Sequence, residues 1–195
     1  MKKTVLSLLL ALPLAAQAPA PKAPAPVPAV EPTVGMAMDG TYQWVPAQFI
    51  GAAEAMPEDK YDFAPTQGEF KGVKTFAQEV KHVSSVNFAF GAMILGEKPK
   101  VEMANIEMGP EGLKTKAEIV QNLKDSFAYA RRAIQSITAQ NGSRAIKNPF
   151  GQGPDFTPIG LATILAFHGM DHYGQMVEYL RMNGIVPPAS RRQGA

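Results

Sequence analysis

The sequence predicts an all-α fold: a four-helix bundle, with a crossover topology as compatible as a simple up-and-down one. Four amphipathic stretches of about 18 to 27 residues repeat apolar side chains at helical spacing. Their ends carry helix-start and helix-stop residues. No convincing strand alternation lies between them. Four such helices can bury their apolar faces only against one another, which indicates a bundle.

The N-terminal residues 1–18 have the pattern of an export signal. Lys2 and Lys3 precede an apolar run over residues 5–14, and Ala16-Gln17-Ala18 forms a small-x-small cleavage site. The apolar run is far shorter than the roughly 20 residues that span a bilayer. We therefore expect an exported protein, periplasmic or secreted, without a stable membrane anchor.

The next segment, residues 19–35, is predicted to be a linker rich in proline and alanine. Six prolines fall within the fourteen residues 19–32, a composition that favours extended polyproline II and cannot bury a core. The remaining residues, 36–195, are enough for one helical domain with a sizeable core.

The first two predicted helices span residues 35–55 and 75–95. In the first, Pro46 indicates either a first turn or a kink. A loop rich in proline and glycine separates the two helices, and Gly96 followed by Pro99 ends the second.

The third predicted helix spans residues 114–139, and the fourth runs from residue 157 to about 183. The third begins at a Thr115-x-x-Glu118 capping box and ends before Asn141-Gly142. The fourth begins at Thr157-Pro158, an N-cap followed by proline at the first helical position.

Composition and charge exclude several classes of function. The 195 residues contain no cysteine, which excludes disulfides, thiolate metal ligands and a cysteine nucleophile. Removal of Lys2 and Lys3 from the 19 Lys+Arg leaves 17 basic against 17 acidic residues, so no excess charge favours nucleic acid. Phosphate-binding, dinucleotide-binding and nucleophile-elbow motifs do not occur, nor does H-E-x-x-H.

The three histidines of the chain are the most informative residues. His168 and His172 are four apart on the fourth predicted helix, so both imidazoles can reach one ion. His82 lies in the first half of the second predicted helix. If these two helices are neighbours, the three imidazoles converge inside the bundle. Three histidine ligands leave positions open on the ion, as catalytic metal sites do.

Two further side chains are candidates for catalytic or supporting roles. Glu79 lies one turn before His82 and is a candidate base or partner of a ligand, whereas Gln175 could orient a ligand or a bound water. Asp171 lies off the face of the histidine pair and is better explained as a solvated residue. The alternatives are a non-catalytic metal- or small-molecule-binding module and a helical interaction protein whose histidines are ordinary core residues.

Two long segments of the sequence resemble the DinB-like (DinB/YfiT) superfamily. They are TFAQEVKHVSSVNFAFGAMILGEKP around His82, and ILAFHGMDHYGQMVEYLRMNGIVPP around His168 and His172. The resemblance extends from about residue 38 to 190. It implies a four-helix bundle in which His82, His168 and His172 bind a divalent metal, typically zinc, nickel, iron or manganese.

The same resemblance implies a range of functions and not one reaction. Characterised relatives include thiol-dependent transferases and isomerases, many members are stress-associated, and such bundles often form homodimers. We expect a metal-dependent hydrolase or thiol transferase that acts on a small molecule. Many relatives carry a basic residue or histidine beside the last ligand, where this chain has Asp171 and Tyr173.

Overall fold

The computed structural model describes residues 31–191. The predicted export signal (1–18) and most of the predicted linker (19–30) lie outside the described residues, as do the last four residues of the predicted domain. The structure confirms the all-α fold. Within the described range the regular elements are helical, apart from an isolated antiparallel bridge between Ile146 and Phe156. The helices are α1 (Val34–Tyr42), α2 (Trp44–Ala55), α3 (Phe76–Leu95), α4 (Lys116–Gln135) and α5 (Pro158–Met182).

The first predicted helix, residues 35–55, is two helices in the structure. It begins at Val34, inside the predicted linker, and it is interrupted at Gln43. Pro46 explains the interruption, because proline has no N–H to donate to the carbonyl four residues earlier, that of Tyr42, and its ring crowds that carbonyl. Both alternatives for Pro46 are found together, because it lies in the first turn of α2 directly after the break, and α1 and α2 together serve as the first helix of the bundle.

The other helices begin within two residues of the predicted positions, and α4 and α5 begin at the predicted capping residues. Thr75 and Gln78 form a reciprocal capping box at α3, and Thr115 and Glu118 form another at α4. The Thr157 hydroxyl accepts a hydrogen bond from the N–H of Gly160 at α5.

Helix α4 ends four residues earlier than predicted, at Gln135. The carbonyl of Ile137 accepts a hydrogen bond from the N–H of Gly35 in α1 at 2.9 Å. The Asn141 side chain accepts from the N–H of Thr138 and donates to the carbonyl of Ser136. Tertiary and turn contacts thus satisfy the backbone groups that a longer helix would have used.

The helices are arranged with a crossover. Helix α3 packs against α4 and α5, and α2 packs against α5 and α4, so that α2 and α3 lie diagonally across the bundle although they are consecutive in the chain. The helices share one core, whose fully buried large side chains include Phe49, Phe76, Leu123, Phe127, Leu161, Leu165, Met176 and Leu180.

Helices α2 and α5 approach each other closely at a glycine beside the histidine pair. A Cβ on Gly169 would lie 2.6 Å from Cγ1 of Val45, so this contact requires glycine. Among residues 31–191, no helix is both long enough and apolar enough to cross a bilayer.

Candidate metal centre

The fold brings the three histidines of the chain together between α3 and α5. His82 comes from α3, and His168 and His172 come from successive turns of α5. One ring nitrogen from each lies within 4.8 Å of the others. The ring centroids are 4.5 to 4.9 Å apart, and the planes are steeply inclined to one another. These distances allow the three imidazoles to coordinate one ion.

The contacts between α3 and α5 also define how the two helices run. Glu79 and His82 are one turn apart on α3, and they contact His172 and His168 respectively on α5. The order of contacts along one helix is reversed along the other, so the helices are antiparallel. The crossover topology is what makes them neighbours.

The ring of His82 is oriented by a backbone carbonyl. Its Nδ1 lies 2.8 Å from the carbonyl oxygen of Ile106, and the residue is 5% exposed. A carbonyl only accepts hydrogen bonds, so Nδ1 carries the proton and Nε2 keeps its lone pair. Burial lowers the pKa of His82 and keeps the imidazole neutral.

The ring of His172 is oriented by a buried carboxylate. Its Nδ1 lies 2.5 Å from Oε2 of Glu79, which is 2% exposed. The carboxylate accepts the Nδ1 proton, which again leaves the lone pair on Nε2. A histidine whose Nδ1 donates to a carboxylate is a common arrangement in metal sites, where the carboxylate fixes the ring and makes the free nitrogen a better donor.

His168 completes the cluster. Its Nε2 lies 3.0 Å from Nε2 of His82. Burial, and secondarily the neighbouring His172 and His82, lower the pKa of His168 to about 3. His168 is therefore neutral near pH 7 and can donate a lone pair to a cation.

A short loop before α4 covers the outer side of His82. We call residues 101–110 the strap. The strap contains the one-turn helix Met103–Asn105, the Ile106 carbonyl that holds His82, and Glu107, whose Oε2 lies 4.0 Å from Nδ1 of His82. It is seated on α3 at Gly109, which has φ +68°. A Cβ there would lie 2.8 Å from backbone atoms of Lys81.

Comparison with known families gives the same fold. A family model described as the DinB superfamily matches residues 41–176 of this chain. The chain belongs to the DinB superfamily. A crystal structure of a DinB-like protein from Bacillus subtilis aligns with 80% of this chain and 99% of that one, with a TM-score of 0.58 and 18% identity. That likeness shows the DinB fold alone. None of the curated proteins matches the chain.

Of the other residues proposed from the sequence, only Glu79 contacts a histidine of this DinB protein. Gln175 donates to Asp171 at 3.2 Å along the surface of α5. Tyr173 donates to Gln48 on α2.

Three residues near the DinB histidines could not be found from the sequence. Ile106 orients His82 through its backbone carbonyl, a group that every residue has and that the sequence therefore cannot single out. Glu107 and Lys74 form an ion pair of 3.1 Å between the strap and the start of α3. In the sequence both are ordinary charged residues in loops, and only the fold brings them together.

Proposed function

We propose that His82, His168 and His172 bind one divalent metal ion, and that the resulting centre catalyses hydrolysis or group transfer, including thiol transfer, on a small molecule. The observation that carries the proposal is the convergence of the three rings, one nitrogen of each lying within 4.8 Å of the others. His82 and His172 both have Nδ1 against a fixed acceptor, which leaves Nε2 of each ring for a metal.

The chemistry of the donor set fits a metal. Neutral imidazole nitrogens suit zinc, nickel and iron, and the lowered pKa values of His82 and His168 keep both rings in the form that binds a cation. When bound, such an ion lowers the pKa of a coordinated water or polarises a substrate. Glu79 accepts the hydrogen bond from Nδ1 of His172 and therefore serves as a positioning residue, so that it is not free to act as a base.

Three histidine ligands would leave a coordination position open, which favours catalysis over a non-catalytic metal-binding module. In such a module a further side chain, such as Glu79 or Gln175, would occupy that position. Glu79 is engaged by His172, and Gln175 is engaged by Asp171. His168 and His172 are only partly buried. The cluster is therefore not sealed from solvent.

We also propose that the protein acts outside the cytoplasm. The support is the sequence pattern of residues 1–18. Expression of the full chain in a bacterial host, with mass spectrometry of the periplasmic and medium fractions, tests this. A mature form that begins near Pro19 is expected, and an uncleaved chain in the cytoplasm would contradict it.

Elemental analysis of the protein purified without chelator or nickel resin tests the metal centre. About one equivalent of a divalent metal is expected in the wild type and in Gln175→Ala, the matched control on α5. His168→Ala and His172→Ala should lose it. Absence of metal from the wild type, even after incubation with zinc, nickel, iron and manganese, would favour a helical interaction protein.

The retained metal then defines the assay for activity. Protein loaded with that ion is screened against small hydrolase and thiol-transfer substrates, with His172→Ala as the inactive control. Turnover that depends on His172 supports catalysis. Full metal occupancy without turnover on any substrate would favour the binding module.

A further inference from the structure

We infer that Lys74 is a substrate-binding residue of this centre and that it selects small molecules carrying an anionic group, a carboxylate or a phosphate. The inference rests on the proposed metal site and names its substrate class. Lys74 precedes His82 by eight residues, and the fold brings it near His168 and His172, which are more than ninety residues further along the chain.

The backbone of Lys74 is fixed to the helix that carries two of the histidines. The Tyr179 hydroxyl on α5 donates to the carbonyl of Lys74 at 3.1 Å, and the Tyr179 ring packs edge-on against Phe63. Tyr179 lies seven residues after His172, about 10 Å along the helix. Helices α3 and α5 are antiparallel, so the residues before Glu79 lie beside the residues after His172. The bond from Tyr179 therefore places Lys74 at the His172 end of the cluster.

The side chain of Lys74 extends from there toward His82. Its Nζ lies 3.1 Å from Oε2 of Glu107, the same oxygen that lies 4.0 Å from Nδ1 of His82. The shared Glu107 oxygen therefore places the ammonium group near the His82 ring, and the Lys74 side chain is mostly buried there.

The ion pair with Glu107 is one that a substrate can replace. The Glu107 side chain is 68% exposed and that of Lys74 is 24% exposed. Ion pairs with such an exposed partner contribute about 0 to 1 kcal/mol, so exchanging Glu107 for a substrate anion costs little. Glu107 can then return to water, whereas Lys74 keeps its fixed backbone.

The charge of the loaded centre favours the same class of ligand. A divalent ion together with Lys74 outweighs the two carboxylates that contact the rings or lie beside them, those of Glu79 and Glu107. Asp171 and Tyr173 flank His172 on α5 and supply no cation there. Lys74 can provide a cation from the segment that precedes α3.

Visible spectroscopy of the cobalt(II)-loaded protein tests this without an activity assay. Two thiols are titrated: 3-mercaptopropionate, which carries a carboxylate, and 2-mercaptoethanol, which does not. Both can bind the ion through sulfur and change its absorption. Lys74→Met should weaken binding of 3-mercaptopropionate about tenfold, the loss of one charge-assisted hydrogen bond, and leave 2-mercaptoethanol unchanged.

Two further variants separate substrate binding from a structural role. Glu107→Gln should tighten 3-mercaptopropionate, because Lys74 is released, and Lys71→Met, an exposed lysine in the same segment, should change neither thiol. Inorganic phosphate should compete with 3-mercaptopropionate in the wild type, and less in Lys74→Met.

The inference is overturned if Lys74→Met weakens both thiols equally, or if Glu107→Gln weakens binding as Lys74→Met does. Either result would mean that the Lys74–Glu107 ion pair only holds the strap in place. Failure of the wild type to take up cobalt would instead contradict the metal site itself.

Discussion

The buried carboxylate of Glu79 is the residue on which the orientation of His172 depends. Glu79→Gln preserves its size but replaces a charged acceptor with a neutral one, so Nε2 of His172 becomes a weaker donor. We expect metal affinity to fall about 10- to 100-fold. Competition with a chromophoric chelator measures it. Glu178→Gln, an exposed glutamate paired with Arg181, is the control and should bind as the wild type does.

The buried neutral histidines make the metal-free protein sensitive to acid. In the unfolded chain His168 takes up a proton near pH 6.5, whereas in the native state its pKa is about 3. The unfolded state thus binds more protons over this interval, and stability falls as the pH decreases from 6.5 toward 3. For one such group, the free energy of unfolding should drop by about 2 kcal/mol between pH 7 and pH 5.

Urea unfolding of metal-free protein at the two pH values measures this drop. His168→Gln removes the titrating group, and its stability should change less than that of the wild type over the same interval. An equal loss in both proteins would show that His168 is not the source.

At the scale of elements, the strap matters because its Ile106 carbonyl orients His82 of α3. Gly109→Ala must place a Cβ against the backbone of Lys81 and adopt a left-handed φ. We expect a loss of about 2 kcal/mol or more and weaker metal binding, because the Ile106 carbonyl moves with the strap.

Gly72→Ala is the matched control for Gly109→Ala. Gly72 also has a positive φ, +82°, but a Cβ there would meet open space. Urea unfolding of both variants separates backbone strain, which they share, from the clash with Lys81. Equal losses in the two would contradict a close seating of the strap on α3.

Local signals explain which parts of the elements were predictable. The starts of α3, α4 and α5 are set by side chains within four residues, so capping patterns locate them. The end of α4 depends on Gly35, about a hundred residues away in the chain, and no local pattern reports such a contact.

The candidate site divides in the same way. The spacing of His168 and His172 and the position of Glu79 one turn before His82 are readable because helix geometry is regular. The contributions of Ile106, Glu107 and Lys74 depend on where a loop passes over α3, and this depends on the whole topology.

At the scale of the molecule, the centre joins two helices that the crossover makes neighbours. An ion that binds only the native state stabilises it by about 2.7 kcal/mol at 100 times its dissociation constant. We expect the thermal unfolding midpoint of the wild type to rise with added metal and that of His172→Ala to stay unchanged. Differential scanning calorimetry measures both, and equal shifts would mean that the ion binds elsewhere.

The separation of the histidines along the chain has a consequence for how the proposed centre would obtain a metal. His82 and His168 are 86 residues apart, and their nitrogens meet only after α3 and α5 have packed together. A newly made chain that is still unfolded has no site, so the ion is taken from whichever compartment the chain folds in. For a chain that is exported before it folds, as proposed from residues 1–18, the metal supply outside the cytoplasm would determine which ion the proposed centre holds.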